Sequence, residues 1–381
     1  MPMQGYLPPG FNEHEHSETV RLLNVAGTDL EDNRGNDTKT EKAKRQKCGR
    51  CDCQCVVIWV LVFTVLFLVF IAFKLVIKFG PLILVDKVFS NNVFRDSVNL
   101  KKPLDQGLNH TRNFYLQPEG SDSIGVWHTV PDLLWKEAQG KEGSWYESQL
   151  QAPHPVMLYL HGKGGTRVSD DRVQLYKVLS SFGYQVVAFD YRGWGDSDGN
   201  PSESGMMQDS LFLYQWLKNK TGNNSLYIWG HSLGSGAATN LARRLCDNGT
   251  PPDAVILESP FTNIREEINR YTGVPNCLIR IITPNDFQFP SDENIKHISC
   301  PVLILHAEDD DLVPFEFGKK LYDIAAASTS RKGHKVCFHP FPSNEGYGHR
   351  FIYRSPQLHQ IVSDFFNMTL TQCACKTPTA Q

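Results

Sequence analysis

Apolar and polar positions along the chain fall into three regimes. Residues 1–47 show no hydrophobic period; acidic positions (Glu13, Glu15, Glu18, Glu31, Asp32) give way to basic ones (Lys39, Lys42, Lys44, Arg45, Lys47, Arg50), which predicts a disordered tail reaching to about residue 55. From 56 to 73 every position except Thr64 is apolar. At ~1.5 Å rise per residue such a run covers most of a ~30 Å hydrocarbon layer, and Lys74 and Lys78 can snorkel at its end, so a transmembrane helix is expected over 56–78. A semi-apolar linker follows over 79–105, and the third regime begins near 106. Strand-like runs at 113–116 and 124–130 flank a turn-rich stretch and suggest an edge hairpin. A continuously apolar run at 156–160 and further short apolar-rich strands at 185–189, 226–229, 254–257 and 302–305 then alternate with helical segments at 170–182, 206–219, from about 235, and 315–325. A last strand at 335–338 and a helix at 356–366 close the pattern. Runs apolar at every position suit strands buried on both faces, so one α/β domain over 106–370 is expected, a mostly parallel central sheet with helices on both faces, followed by a flexible tail over 371–381.

Composition narrows this picture. With 381 residues, 41% of them hydrophobic, the chain can fill a large core; its net charge of −3 and lack of a basic stripe with interleaved aromatics argue against nucleic acid as a partner. The apolar run starts too far from the amino terminus, and is too long, for a cleaved signal peptide. Basic residues lie immediately before it, so the positive-inside rule puts the amino terminus in the cytosol and the domain across the membrane. After the apolar run, Asn-x-Ser/Thr sequons at Asn109, Asn219, Asn223, Asn248 and Asn367 agree with that placement. Of the ten cysteines, Cys48, Cys51, Cys53 and Cys55 fall within eight residues beside the apolar run. A zinc knuckle would need all four to converge in one short turn; S-palmitoylation and plain reduced thiols both remain open.

The chemistry gathers around Gly230-His231-Ser232-Leu233-Gly234, which follows a buried strand and precedes a small-residue helix. That order is a nucleophile elbow, in which glycines two positions either side of Ser232 let strand and helix pass closely. A serine nucleophile needs a base and an orienting carboxylate, arriving later in the chain as acid and then histidine. The acid falls in Glu308-Asp309-Asp310-Asp311, just past the strand at 302–305. Asp310 is preferred because it lies four residues before Pro314; Asp309 is the runner-up, and Asp311 suits a cap on the helix near Phe315. The base is His349 in Gly346-Tyr347-Gly348-His349, with His339 its nearest rival. Backbone N–H groups of Leu233 and Lys163 are the expected oxyanion donors. The Gly-rich stretch at 161–165 lacks the Gly-Lys-Ser/Thr ending of a nucleotide-binding loop.

The stretches Gly107-Leu108-Asn109-His110-Thr111, Gly125-Val126-Trp127-His128-Thr129-Val130-Pro131, 190–197, 229–234, 257–267, 297–301 and 306–314 together resemble the α/β-hydrolase domain-containing lipases. The resemblance spans roughly 100–366. It implies an α/β-hydrolase fold, a triad of Ser232, Asp310 and His349, and no metal or organic cofactor. It further implies an endoplasmic-reticulum membrane enzyme with a lumenal site, cleaving lysophosphatidylserine and monoacylglycerols. Residues 268–291, where such folds carry a lid, are shorter than the family's insertion there. A phosphoserine headgroup needs a cation nearby, and Lys163, Arg192 and Arg265 are placed for it. The elbow alone also suits a peptidase or small-ester hydrolase, and a non-catalytic binding module is the reading from another class.

Overall fold

The computed structural model describes residues 37–89, 98–118, 123–328 and 335–368. The earlier part of the expected amino-terminal tail and the tail over 371–381 lie outside them. The first element, α1, runs unbroken over Asp37–Phe89. Two expectations give way here. Residues 37–55 are helical rather than a tail, in keeping with the helix-favouring Lys, Glu, Ala, Arg and Gln that fill 41–47. The expected linker also begins as helix, which continues past Pro81. Among the described residues one helical stretch, Cys53–Phe89, is long and apolar enough to cross a membrane.

The chain divides after Phe70, and the second unit, Ile71–Gln381, is built around an eight-stranded sheet. Its strands are β1 (Thr111–Leu116), β2 (Ile124–Thr129), β3 (Val156–Leu160), β4 (Gln185–Phe189), β5 (Leu226–His231), β6 (Ala254–Glu258), β7 (Val302–Ala307) and β8 (Val336–Phe341). They are ordered β1-β2-β4-β3-β5-β6-β7-β8. β1 and β2 form the expected antiparallel edge hairpin, β2 pairs antiparallel with β4, and every later pairing is parallel.

The period of two along the strands sorts the core into two layers. Val156, Leu158, Leu160, Val187, Phe189, Ile228, Val255, Leu257, Val302 and Ile304 face one side. There they meet α4 (Glu203–Thr221), α5 (Leu233–Asp247) and α9 (Phe315–Ala326) through Leu213, Leu217, Ala238, Leu241 and Leu321. Met157, Tyr159, Val186, Ala188, Trp229, Ile256, Leu303 and Leu305 face the other side, against α3 (Asp170–Ser181) and α10 (Leu358–Met368). Shorter helices complete the unit: α2 (Gly143–Gln149), α6 (Ile264–Thr272), α7 (Asn276–Ile282) and α8 (Ser291–Asn294). The last turn of α1 joins this core. Phe89 is buried, its ring edge-on to Trp194 at 5.6 Å and Phe287 at 5.2 Å.

Two boundaries differ from expectation for local reasons. α4 starts a turn earlier, at Glu203, because the Ser202 hydroxyl caps it by accepting the Gly205 N–H at 3.0 Å. β8 runs on through His339-Pro340-Phe341 in register with Leu305, His306 and Ala307. It is an edge strand, the setting in which a proline is tolerated.

Candidate active site

Parallel strands deliver their carboxyl ends to one edge of the sheet, and there the loops after β3, β5, β6 and β7 are neighbours. Ser232 joins β5 to α5 with φ 52° and ψ −122°, a strained conformation for a side-chain-bearing residue. Steric demand around it explains the glycines. A Cβ at Gly234 would lie 2.0 Å from the Leu160 carbonyl oxygen, and one at Gly230 would lie 2.5 Å from the Gly234 oxygen. The Ser232 N–H donates to the Glu258 carbonyl at 3.0 Å, tying the turn to β6.

The structure brings Ser232, His349 and Asp310 together. His349 Nε2 lies 2.9 Å from Ser232 Oγ, and its Nδ1 lies 2.8 Å from Asp310 Oδ2 and 3.0 Å from Oδ1. Asp310 and His349 are buried, whereas Ser232 keeps partial exposure. Burial opposes the Asp310 charge, but hydrogen bonds from His306 and His349 outweigh it and hold the carboxyl below its ordinary range. Oδ1 also accepts the N–H groups of Leu312 (3.0 Å) and Val313 (2.8 Å). The carboxylate is thus fixed from three directions.

Its neighbours take other positions. Asp309 accepts the Gly348 N–H at 3.0 Å and so anchors the loop that carries His349. Asp311 is exposed and does not cap α9: the capping position is Pro314, with no side-chain hydrogen bond. His339 belongs to β8 and packs its ring 4.8 Å from that of Phe341.

The loop after β3 abuts the elbow, since a Cβ at Gly162 would lie 2.9 Å from Ser232 Cβ. Buried Arg172 donates to the carbonyls of Thr166 (2.8 Å) and Gly162 (3.0 Å). In a planar trans peptide C=O and N–H point oppositely, so holding the Gly162 oxygen turns the Lys163 N–H to the other side of the strand of chain. Leu233 N–H opens α5 and has no intrahelical acceptor. Among the described residues neither amide is hydrogen-bonded. The arrangement supplies a hydroxyl, an oriented imidazole and two unpartnered donors, the parts that acyl transfer requires.

Three side chains were expected near a headgroup. Lys163 is exposed, and its ammonium is shifted down, first by partial burial and then by Lys87, with Glu267 opposing. Arg192 does not fit that expectation, because its guanidinium is held by Asp209, with Nη2 2.6 Å from Oδ1. Its charge is therefore already matched. Arg265 lies in the first turn of α6, half-buried, with Nε unpartnered among the described residues. The five sequon asparagines that follow the apolar run, Asn109, Asn219, Asn223, Asn248 and Asn367, are exposed, as are Cys53 and Cys55; the side chains of Cys48 and Cys51 lie outside the described residues.

Sequence reasoning missed several supports. His306, wholly buried, places Nε2 2.9 Å from the Val313 carbonyl and 3.3 Å from Asp310 Oδ2. His231 Nε2 lies 2.8 Å from the His349 carbonyl. Both carry a weak signal, a histidine at the last turn of a strand beside the motif.

Glu258 ends β6, 3% exposed, and accepts the Trp229 indole N–H at 2.8 Å. Burial pushes its carboxyl up to about 8, with the Trp229 bond opposing. Between its ordinary value of 4.5 and about 8 the folded chain keeps a proton that the unfolded chain has lost. Its stabilising effect is therefore complete below that window and lost as pH rises through it, on the order of 1.4 kcal/mol per pH unit. Glu258→Gln keeps the acceptor and removes the titration. Thermal unfolding of this variant is expected to exceed wild type by several degrees at pH 8, relative to their difference at pH 5.

Residues 151–285 match the family model for serine aminopeptidase, S33. The Lysophosphatidylserine lipase ABHD12 of Danio rerio is 55% identical, covering 93% of this chain and 97% of its own. This chain belongs to the ABHD12 family. Another member, Protein ABHD12B of Homo sapiens, is 42% identical over 74% of this chain and 80% of its own. Among solved structures, an alpha-beta hydrolase from Vibrio vulnificus superposes with TM-score 0.56 at 22% identity, over 74% of this chain and 92% of its own. The Pyrococcus furiosus esterase Pf2001 gives 0.52 at 16%, over 74% and 97%. These two establish the α/β-hydrolase fold of the ABHD12 family chain.

Proposed function

We propose that this protein is a membrane-anchored serine hydrolase that cleaves the acyl ester of lysophosphatidylserine and of monoacylglycerols through an acyl-enzyme. The hydrogen-bonded Ser232–His349–Asp310 array carries the reading. His349 takes the Ser232 proton as Oγ attacks the ester carbonyl, and Asp310 holds the imidazole tautomer and balances its charge. The Leu233 and Lys163 N–H groups receive the oxyanion, and water then repeats the sequence to release the fatty acid. Lysophosphatidylserine is supported by the relatives in the ABHD12 family that are named lysophosphatidylserine lipases; monoacylglycerol shares its single acyl ester. Two features suit a lipid: the apolar helix Cys53–Phe89, and the exposed Tyr271, Leu278 and Ile281 on α6 and α7.

The domain lies in the endoplasmic-reticulum lumen and the amino terminus in the cytosol. Support comes from the basic residues ahead of the apolar helix and from the exposure of the five sequon asparagines that follow it. A panel of lysophosphatidylserine, monoacylglycerol, aminoacyl amide and short-chain ester tests the activity. Turnover of both lipids with glycosidase-sensitive mass on the domain is expected; turnover of the amide alone would favour the peptidase reading.

A further inference from the structure

Glu267 has no place in the triad or the oxyanion loop, yet its carboxyl feels the charges of Asp310 in the one and Lys163 in the other. It lies on α6, the helix of the crossover that leaves β6. In the sheet β6 stands between β5, which leads into Ser232, and β7, which leads into Asp310. The helix is held there at its first turn. Asn263 caps it by accepting the Glu266 N–H at 2.9 Å, and Glu266 pairs outward with Lys320. Glu267 Oε2 is closed off from solvent and, among the described residues, has no hydrogen-bond partner. An ionised carboxyl oxygen buried without a donor costs free energy, which the fold relieves only by keeping the group protonated.

The charged groups that bear on this carboxyl are Asp310 and Lys163. Burial pushes it up to about 8, Asp310 pushes it the same way, and Lys163 opposes. At neutral pH it is therefore mostly protonated while the site is empty. An arriving cation would both donate to Oε2 and stabilise the ionised form.

Resting on the lysophospholipase reading above, we infer that Glu267 is the seat of the substrate's headgroup ammonium, its unpartnered Oε2 facing a cation beside Ser232 and Asp310. Lysophosphatidylserine carries one ammonium and two anionic groups. The ammonium pairs with Glu267, and Lys163, the cation that bears on the same carboxyl, takes an anionic group. The pairing is a specificity determinant: a site that holds a buried polar group for a ligand rejects the analogue lacking its partner. Lysophosphatidylethanolamine keeps the ammonium, whereas lysophosphatidylglycerol and monoacylglycerol lack it.

The test uses the full chain in membranes, wild type and Glu267→Gln, with these four lipids carrying one acyl chain. Rates are normalised to sites titrated with a fluorophosphonate, so misfolded protein does not enter. The expected result is a fall of about tenfold or more in the kcat/KM ratio of lysophosphatidylserine to lysophosphatidylglycerol, matched by the ratio of lysophosphatidylethanolamine to lysophosphatidylglycerol. Equal losses on all four lipids would assign Glu267 to holding α6 and overturn the inference, as would unchanged ratios. A wild type that turns over monoacylglycerol but no lysophospholipid would refute the lysophospholipase reading itself, and this inference with it.

Discussion

Asp310→Asn is expected to lower kcat by about 10⁴-fold while leaving KM within a few-fold of wild type. The carboxylate touches His349 Nδ1 through both oxygens, and His306 and two backbone amides hold it in place. An amide there can present an N–H to Nδ1, which stabilises the tautomer whose Nε2 already carries hydrogen. That imidazole cannot take the Ser232 proton. Asp309→Asn, one residue away, should cost about tenfold at most, since it weakens one bond to the Gly348 N–H and leaves the imidazole paired. Steady-state kinetics on a monoacylglycerol separates the two. Equal losses in both variants would mean that the acidic cluster acts as a whole.

Gly234→Ala is the second large effect, and it is a folding effect before it is a catalytic one. The added methyl would meet the Leu160 carbonyl carbon at 2.6 Å and its oxygen at 2.0 Å, both backbone atoms of the central strand β3. Neither can move without separating β3 from β5, so a loss of about 3 kcal/mol or more is expected. Gly236→Ala, two residues on, meets Phe289 Cδ1 at 2.7 Å and Cβ at 3.1 Å, a side chain that can shift without parting two strands. Melting curves should therefore show a much larger drop for Gly234→Ala than for Gly236→Ala, with turnover lost in parallel. A Gly234→Ala protein that melts with wild type would mean the elbow is looser than its contacts indicate.

What the sequence makes legible is the sheet and the order of the chemistry on it. The apolar runs locate β3 to β7 because these strands are buried in the sheet and their polar residues, Gln185, His231, Glu258 and His306, fall at or next to a strand end. Gly230 and Gly234 point to Ser232 because a tight strand-to-helix crossing leaves a local trace. The choice among Asp309, Asp310 and Asp311 rests on spacing to Pro314, and the structure pairs Asp310 with His349. Other features leave no such trace. Arg192 and Arg265 look alike along the chain, and only the fold shows that Asp209 holds the first. Arg172, which fixes the Gly162 carbonyl, reads as one more charge on α3. The unpartnered oxygen of Glu267 exists only once α6 is packed on the fold. Helix α1 was underestimated at both ends because Pro81 reads as a break and the basic stretch before Val56 reads as a tail.

The most direct measurement is covalent mapping of the nucleophile. Membranes carrying the full chain are treated with a fluorophosphonate, digested, and the modified peptide is located by mass spectrometry, alongside lysophosphatidylserine turnover. The account predicts modification on Ser232 alone, and in Ser232→Ala neither labelling nor turnover, with kcat down about 10⁶-fold. Labelling and lipid turnover that persist in Ser232→Ala would contradict it.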